Sequence, residues 1–295
     1  MNNTLNMKGK VCIVTGANAG IGFETALALA EQKADVIIVA RSEQKITEAV
    51  NKIIEKSGNK SVEGVVIDLS SQKDLKRGAA EILAKKPRID VLINNAGTWF
   101  SKLEYTDENI EMQFAVNHLG YFMFTHLLLP GLSKSDDPRI INVGSDSHFN
   151  GKMHFNDINL TNKYHGLRAY SQSKLANILF TREFEKRKTL KKLSIYCVQP
   201  GLVKTNIGLK HTVSLHSIAW KLRRLGGVTP KDGASTSIFL ASSEEAKGIS
   251  GKYWDKSKTK KSSRRSYNKD DAKRLWLLSE KLCDIENYFL DLSDD

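Results

Sequence analysis

The sequence predicts an α/β chain folded as one doubly wound domain, a seven-stranded parallel sheet with helices on both faces. Three observations predict it. Short β-rich runs alternate with longer helical patterns along most of the 295 residues, as crossover helices between parallel strands require. Most of the short runs are continuously apolar, as strands covered on both faces must be. The first run passes through a glycine-rich turn straight into a helical pattern.

Taken in order, the strands are expected at Val11–Thr15, Val36–Ala40, Val62–Leu69, Val91–Asn94, Ile140–Val143, Ser194–Val198 and Gly251–Trp254. Each is a β-branched or aromatic run of strand length. Between them, apolar residues at helical spacing predict helices over Ile21–Lys33, Glu43–Ser57, Ser71–Lys85, Glu108–Leu132, Arg168–Arg187 and Lys231–Ser242, with a last one over Asp271–Leu282. No internal repeat and no Pro- or Gly-rich linker interrupts the pattern, so a single domain is expected over residues 1–295. Two segments fall outside the alternation. One is Leu209–Leu225, which mixes Leu, Ile and Trp220 with Lys210, Lys221, Arg223 and Arg224; the other is the basic run from Lys252 to Lys269.

Hydrophobic residues make up 40% of the chain, ample for a core. Nowhere do about 18 apolar residues follow one another, and the polar opening Met1–Lys10 has no apolar core of the signal-peptide kind. A cytoplasmic protein without a transmembrane segment is expected. Cys12, Cys197 and Cys283 form no Cys-x-x-Cys pair and the seven histidines are scattered, which argues against a disulfide framework and a metal site. A formal net charge of +12 favours anionic partners: a phosphorylated cofactor, anionic lipid or polynucleotide. No recognition motif accompanies the charge, so nucleic acid is the least favoured, and a solvated surface is the default for Lys252–Lys269.

The turn Thr15-Gly-Ala-Asn-Ala-Gly-Ile-Gly22 lies between strand and helix, the context that gives a glycine pattern meaning. Gly16 permits the tight turn, Gly20 lets backbone approach a pyrophosphate, and Gly22 lets the helix pack closely on the strand; the free amides at the helix start favour phosphate. This is the Rossmann-type arrangement, with Asn18, Ala19 and Ile21 as neighbouring contacts. At the end of the second strand stands Arg41, where an NAD enzyme would normally carry Asp or Glu against the ribose 2′-hydroxyl. Its planar fork suits a 2′-phosphate, so NADP(H) is the expected cofactor. Asp68, followed by Leu69, is placed to accept from the adenine amino group. Asn95, Ala96 and Gly97 end the fourth strand where the dinucleotide should cross the sheet edge. Pro200, Gly201, Val203 and Thr205 follow the sixth strand as contacts to the nicotinamide end.

Tyr170 and Lys174, four residues apart in a helical pattern, share a face. A nearby ammonium and a positive nicotinamide ring would stabilise phenolate and lower the phenol from its usual value near 10, so Tyr170 could exchange a proton with an alcohol or carbonyl. Ser145, directly after the fifth strand, is placed to polarise that carbonyl. Asn117, a polar residue among Phe114, Val116 and Leu119, could hold a water against Lys174.

Together these residues resemble the short-chain dehydrogenase/reductase family over nearly the whole chain. The set Gly-x-x-x-Gly-x-Gly, Asn-Asn-Ala-Gly and Tyr-x-x-x-Lys is highly specific. Within the family the chain looks most like the NADP-preferring retinol dehydrogenase branch, through Ala169-Tyr-Ser-Gln-Ser-Lys-Leu-Ala-Asn-Ile-Leu-Phe180, Ser250-Gly-Lys-Tyr-Trp254 and Leu275-Trp-Leu-Leu-Ser-Glu280. The resemblance implies a catalytic tetrad of Asn117, Ser145, Tyr170 and Lys174, the last two also touching cofactor, and Arg41 as the 2′-phosphate reader. It implies a cofactor and catalytic core over residues 8–205, a substrate lid over 206–228 and a completing segment over 229–295. Departures are the polar start where membrane-bound members of the branch carry an apolar anchor, Lys33 where Gly is usual after the first helix, and Gly144 where Ser is common.

The expected function is therefore interconversion of an alcohol and a carbonyl, on an apolar aldehyde, ketone or retinoid-like substrate suited to the apolar content of Leu209–Leu225. That segment could also rest on anionic lipid, a peripheral membrane contact. The long helices near Glu108 and Arg168 are where family members often pair, so a homodimer is a further expectation. Two other readings stand beside the enzyme: a nucleotide-sugar-modifying relative and a catalytically silent NADP-binding scaffold.

Overall fold

The computed structural model describes residues 6–201, 203 and 227–289; the expectations for Thr205 and for Leu209–Leu225 lie outside the described residues. Among those described, eight strands form one sheet: β1 (Val11–Thr15), β2 (Asp35–Ala40), β3 (Val62–Val66), β4 (Val91–Asn94), β5 (Arg139–Val143), β6 (Ser194–Gln199), β7 (Lys252–Asp255) and β8 (Lys258–Thr259). Their order is β3-β2-β1-β4-β5-β6-β7-β8. The first seven run parallel, and β8 pairs antiparallel with β7. All seven expected strands are present, and the eighth corrects the count. Its turn residues Lys256 and Ser257 have φ of 50° and 56°, a left-handed pair that Asn-Gly usually supplies, so no turn signal marked it.

Successive strand residues feed two cores on opposite faces. Ile13, Ile37, Val39 and Leu92 join the core under α3 (Gln72–Lys85), α5 (Gly120–Leu132), α6 (Gly166–Arg187) and α8 (Lys269–Leu282). Cys12, Val14, Ile38 and Ile93 join the core under α1 (Gly20–Glu31), α2 (Glu43–Ser57) and α7 (Pro230–Ser242). Local signals end the helices where they should. Ser42 caps α2 through the Lys45 amide and Gly58 stops it at φ 65°, while Thr229 and Asp232 form a reciprocal capping box for α7. Each cysteine is buried and unpaired.

The helix expected from Glu108 begins later. Asn109 takes φ 58°, Tyr105 and Glu111 pair as an isolated antiparallel bridge, and the Glu111 carboxylate caps α4 (Met112–Phe114) by accepting from the Phe114 amide at 2.7 Å. A π-turn, Ala115–Leu119, then leads directly into α5. At the end of α1, Lys33 occupies the left-handed region at φ 70°. The amide of Ala34 reaches the Leu29 carbonyl at 3.1 Å and that of Lys33 reaches Ala30 at 2.9 Å, so a lysine performs the helix stop that glycine performs without strain.

Candidate active site

The strand order reverses between β1 and β4, and a cleft of about 990 Å³ opens there, at the carboxyl ends of the parallel strands. Such reversals leave a crevice because the helices on either side diverge. Every described candidate except Asn117 lines it: Gly16, Asn18, Ala19, Gly20, Ile21, Gly22, Arg41, Asp68, Leu69, Asn95, Ala96, Gly97, Ser145, Tyr170, Lys174, Pro200, Gly201 and Val203.

The glycine turn is built for close backbone approach. Gly16 and Gly20 have φ of 66° and 61°. A Cβ on Gly16 would stand 2.8 Å from the Ala96 Cα, and one on Gly22 would stand 2.5 Å from both the Gly16 carbonyl oxygen and the Asn95 side-chain nitrogen. Thr15 braces the facing strand end: its hydroxyl accepts from the amides of Asn95 (2.9 Å) and Ala96 (3.0 Å), while the Asn95 side chain donates to the Thr15 carbonyl at 2.8 Å. Arg41 extends from the end of β2 into solvent at the cleft margin. The Asp68 carboxylate accepts from the Ser70 amide at 2.9 Å and hydroxyl at 2.7 Å, which fixes its orientation on the cleft wall. These features fit a dinucleotide: an amide-rich turn that tolerates no side chain, and a cation beside it.

At the other end, Ser145 emerges from β5 and caps a short 3₁₀ turn, Asp146–Asn150. Its hydroxyl accepts from the Ser147 amide at 3.2 Å and donates to the Ser147 hydroxyl at 3.2 Å. It shares the cleft lining with Tyr170, whose phenol is pushed up to about 12 by burial while Ser145 favours the phenolate. Lys174 is drawn the other way, down to about 8, again by burial. Its Nζ donates to the Val143 carbonyl at 2.8 Å and lies 5.7 Å from the Tyr170 ring centre and 5.6 Å from that of Tyr121. Desolvation, which disfavours each charged form, is the largest influence on both groups in the protein alone.

Asn117 lies in the π-turn and is buried. Its side chain accepts from the Thr98 amide at 2.8 Å and donates to the Thr98 carbonyl at 3.1 Å and the Ser173 hydroxyl at 3.0 Å. That amide group therefore ties the loop after β4 to α6, and its hydrogen bonds do not go to Lys174. Several residues at the site carried no signal in the sequence. Tyr121 donates to the Ala96 carbonyl at 2.7 Å, and Gln199 accepts the Asp146 amide at 3.0 Å. Their partners are distant along the chain, so no local pattern could disclose them. Phe100, Met112, Val116 and Leu167 add an apolar wall near Tyr170.

The same architecture recurs among known proteins. The family model described as short chain dehydrogenase matches residues 10–213. Human retinol dehydrogenase 13 is 39% identical, the match covering 94% of this chain and 86% of that protein; mouse retinol dehydrogenase 12 is 38% identical, covering 96% and 89%. A solved structure of an uncharacterised protein from Mycobacterium paratuberculosis superposes with a TM-score of 0.78 at 30% identity, covering 96% of this chain and 97% of that one. An Escherichia coli short chain dehydrogenase, solved with NADPH, shares the fold at a TM-score of 0.68 and 24% identity, covering 86% and 98%. A match over most of the length, joined to a glycine turn, Ser145, Tyr170 and a buried Lys174 in one cleft, makes this chain a retinol dehydrogenase-like member of the short chain dehydrogenase family.

Proposed function

We propose that the protein is an NADP(H)-dependent oxidoreductase interconverting an alcohol and a carbonyl, with Tyr170 as the proton-transferring group. The observation that carries this reading is that Ser145, Tyr170 and Lys174 line the cleft that also holds the glycine turn, with Lys174 anchored on Val143 at the end of the strand leading to Ser145. The turn from Gly16 to Gly22 would hold the pyrophosphate, Asp68 and Leu69 would flank the adenine, and Asn95, Ala96 and Gly97 would guide the dinucleotide over the sheet edge. Pro200, Gly201 and Val203 would border its nicotinamide end, and Arg41 would supply the fork for a 2′-phosphate. When bound, the nicotinamide supplies or accepts the hydride.

The chain's own residues handle the oxygen. In the reducing direction Tyr170, protonated at neutral pH because its pKa stands near 12, donates its proton to the substrate oxygen as negative charge grows there. Ser145 donates a hydrogen bond to the same oxygen. Lys174, fixed on Val143, sets a positive charge beside the phenol whenever it is protonated. Phe100, Met112, Val116 and Leu167 suit an apolar aldehyde or ketone, the class to which retinoids belong. Similarity to retinol dehydrogenases supports that class.

The test follows NADPH absorbance with retinal, a ketosteroid and decanal as probes, for the wild type and for Tyr170→Phe. At least one carbonyl is expected to be reduced by the wild type, with turnover lost in the variant and NADPH affinity retained. Retained turnover in Tyr170→Phe removes the proton-transfer assignment. NADPH binding without oxidation by any probe favours the silent scaffold.

A further inference from the structure

We propose that His148 is a positioning residue for Ser145, clamped from behind by the segment that follows β7; this rests on the reading of Ser145 given above. The imidazole is fully buried. Its Nε2 accepts the backbone N–H of Ser263 at 3.0 Å, and its Nδ1 lies 2.7 Å from the carbonyl oxygen of Ser145. A backbone amide only donates and a carbonyl only accepts, so the two partners fix the tautomer: Nε2 bare, Nδ1 protonated, ring neutral. Burial acts in the same sense and holds the imidazole below its ordinary value, with Arg182 and Lys260 adding to it; the Ser145 carbonyl and Asp146 oppose. The neutral ring is then a fixed donor aimed at the backbone of Ser145, which shares the cleft lining with Tyr170.

Other bonds also hold the turn carrying Ser145: the Asp146 amide donates to the Gln199 side-chain oxygen at 3.0 Å and the Ser147 amide to the Ser145 hydroxyl at 3.2 Å. The Ser145 carbonyl receives one other bond, from the His148 amide at 3.1 Å, and the Gly151 amide closes on His148 at 3.0 Å. The remaining anchors come from elsewhere. The Tyr253 phenol on β7 donates to Asp146 at 3.1 Å, and the Arg265 guanidinium donates to the Gly151 carbonyl at 2.9 Å. Tyr253 also packs edge-on against the imidazole, ring centres 4.9 Å apart. The basic run from Lys252 to Lys269, expected from its composition to be a solvated surface, therefore presents lysines outward and grips the Ser145 turn with its buried Ser263 backbone. Without the ring, the Ser145 carbonyl loses its tie to that run, and the backbone that sets the direction of its hydroxyl is less firmly held.

The experiment measures kcat for the probe carbonyl reduced fastest, and NADPH affinity by cofactor fluorescence, in the full chain with Ser145→Ala, His148→Ala and both changes together. Each single change is expected to lower kcat roughly ten- to a hundredfold, the scale of a misplaced reacting group, with NADPH affinity within about threefold of wild type. The double variant is expected to be no slower than Ser145→Ala, because the histidine acts only through the serine. His148→Asn, which returns a donor near the Nδ1 position, is expected to recover most of the loss. Ser263→Pro removes the N–H facing Nε2 at a residue whose φ of −59° already suits proline; it is expected to lower kcat while sparing NADPH affinity, which keeps the idea testable if His148→Ala fails to fold. Multiplying losses in the double variant, or wild-type kcat in both His148→Ala and Ser263→Pro, overturns the proposal. An unchanged kcat in Ser145→Ala instead removes the underlying role of Ser145.

Discussion

The side-chain nitrogen of Lys174 donates to the Val143 carbonyl at 2.8 Å, pinning the middle of α6 to the carboxyl end of β5. Buried there, Lys174 titrates near 8 while Tyr170 stays protonated up to about 12. On the reading proposed above, carbonyl reduction requires the phenol with its proton on, a requirement that a value raised to about 12 meets throughout the neutral range. The group lost first as pH rises is the ammonium, whose charge offsets that of an anionic cofactor. The kcat/KM for NADPH is therefore expected to fall with an apparent pKa near 8, and Lys174→Met to be slow with no such limb. A wild-type profile level through the alkaline range contradicts the lowered lysine.

Arg41 lies exposed at the cleft margin at the end of β2. A charge-assisted hydrogen bond to phosphate is worth about 1.5–3 kcal/mol. Arg41→Asp replaces that with repulsion of the 2′-phosphate and an acceptor for a free 2′-hydroxyl. The NADPH-to-NADH ratio of kcat/KM is expected to drop at least tenfold, the equivalent of about 1.4 kcal/mol, with the melting temperature in the absence of cofactor unchanged. An unaltered ratio removes Arg41 from cofactor recognition.

What was legible in the sequence was whatever repeats locally. The seven parallel strands show as unbroken apolar runs, and Gly16, Gly20 and Gly22 announce the turn because only glycine meets its steric demands. Tyr170 and Lys174 show as a helical pair. Contacts between distant residues do not show. His148 and Ser263 are separated by 115 positions, and Thr15 and Asn95 by 80. The Asn117 amide reads as polar in an apolar context, but whether it faces Lys174 or Thr98 depends on the π-turn, which rotates the residues after Phe114 relative to an α-helix. The lysines of the basic run are exposed, as its charge density suggested, but the inward-turned Ser262, Ser263 and Ser266 left no sign in that density.

Lys33 holds φ 70° at the end of α1. A residue with a Cβ pays roughly 1–2 kcal/mol in this region relative to glycine, and the greater freedom of glycine in the unfolded chain returns part of that. Lys33→Gly is expected to stabilise the protein by about 0.5–1 kcal/mol, read as a rise of roughly 1–3 °C in calorimetry. The site is remote from the cleft, so kcat and KM should not change. A fall in melting temperature would show that the lysine side chain contributes more than its backbone costs.

The helices on which a homodimer was expected to form are covered by the chain's own end. Trp276 on α8 packs on Phe122 of α5 at 5.1 Å and on Phe180 of α6 at 6.1 Å between ring centres, and Tyr288 packs on Phe122 at 4.5 Å. The Tyr288 hydroxyl donates to the Phe122 carbonyl at 2.7 Å, and His126 meets the Tyr288 carbonyl at 2.7 Å. Among the described residues, these aromatic positions of α5 and α6 are filled from within the chain. Light scattering after size exclusion is expected to give a monomer, and a stable dimer at micromolar concentration would mean pairing through another face. Trp276→Ala opens a cavity among Phe122, Phe180 and Tyr288 and is expected to cost about 3–5 kcal/mol of stability. Because that cavity exposes the aromatic faces of α5 and α6, the variant should also begin to self-associate as its concentration rises, which neither a surface substitution nor a simple loss of stability at low concentration would produce.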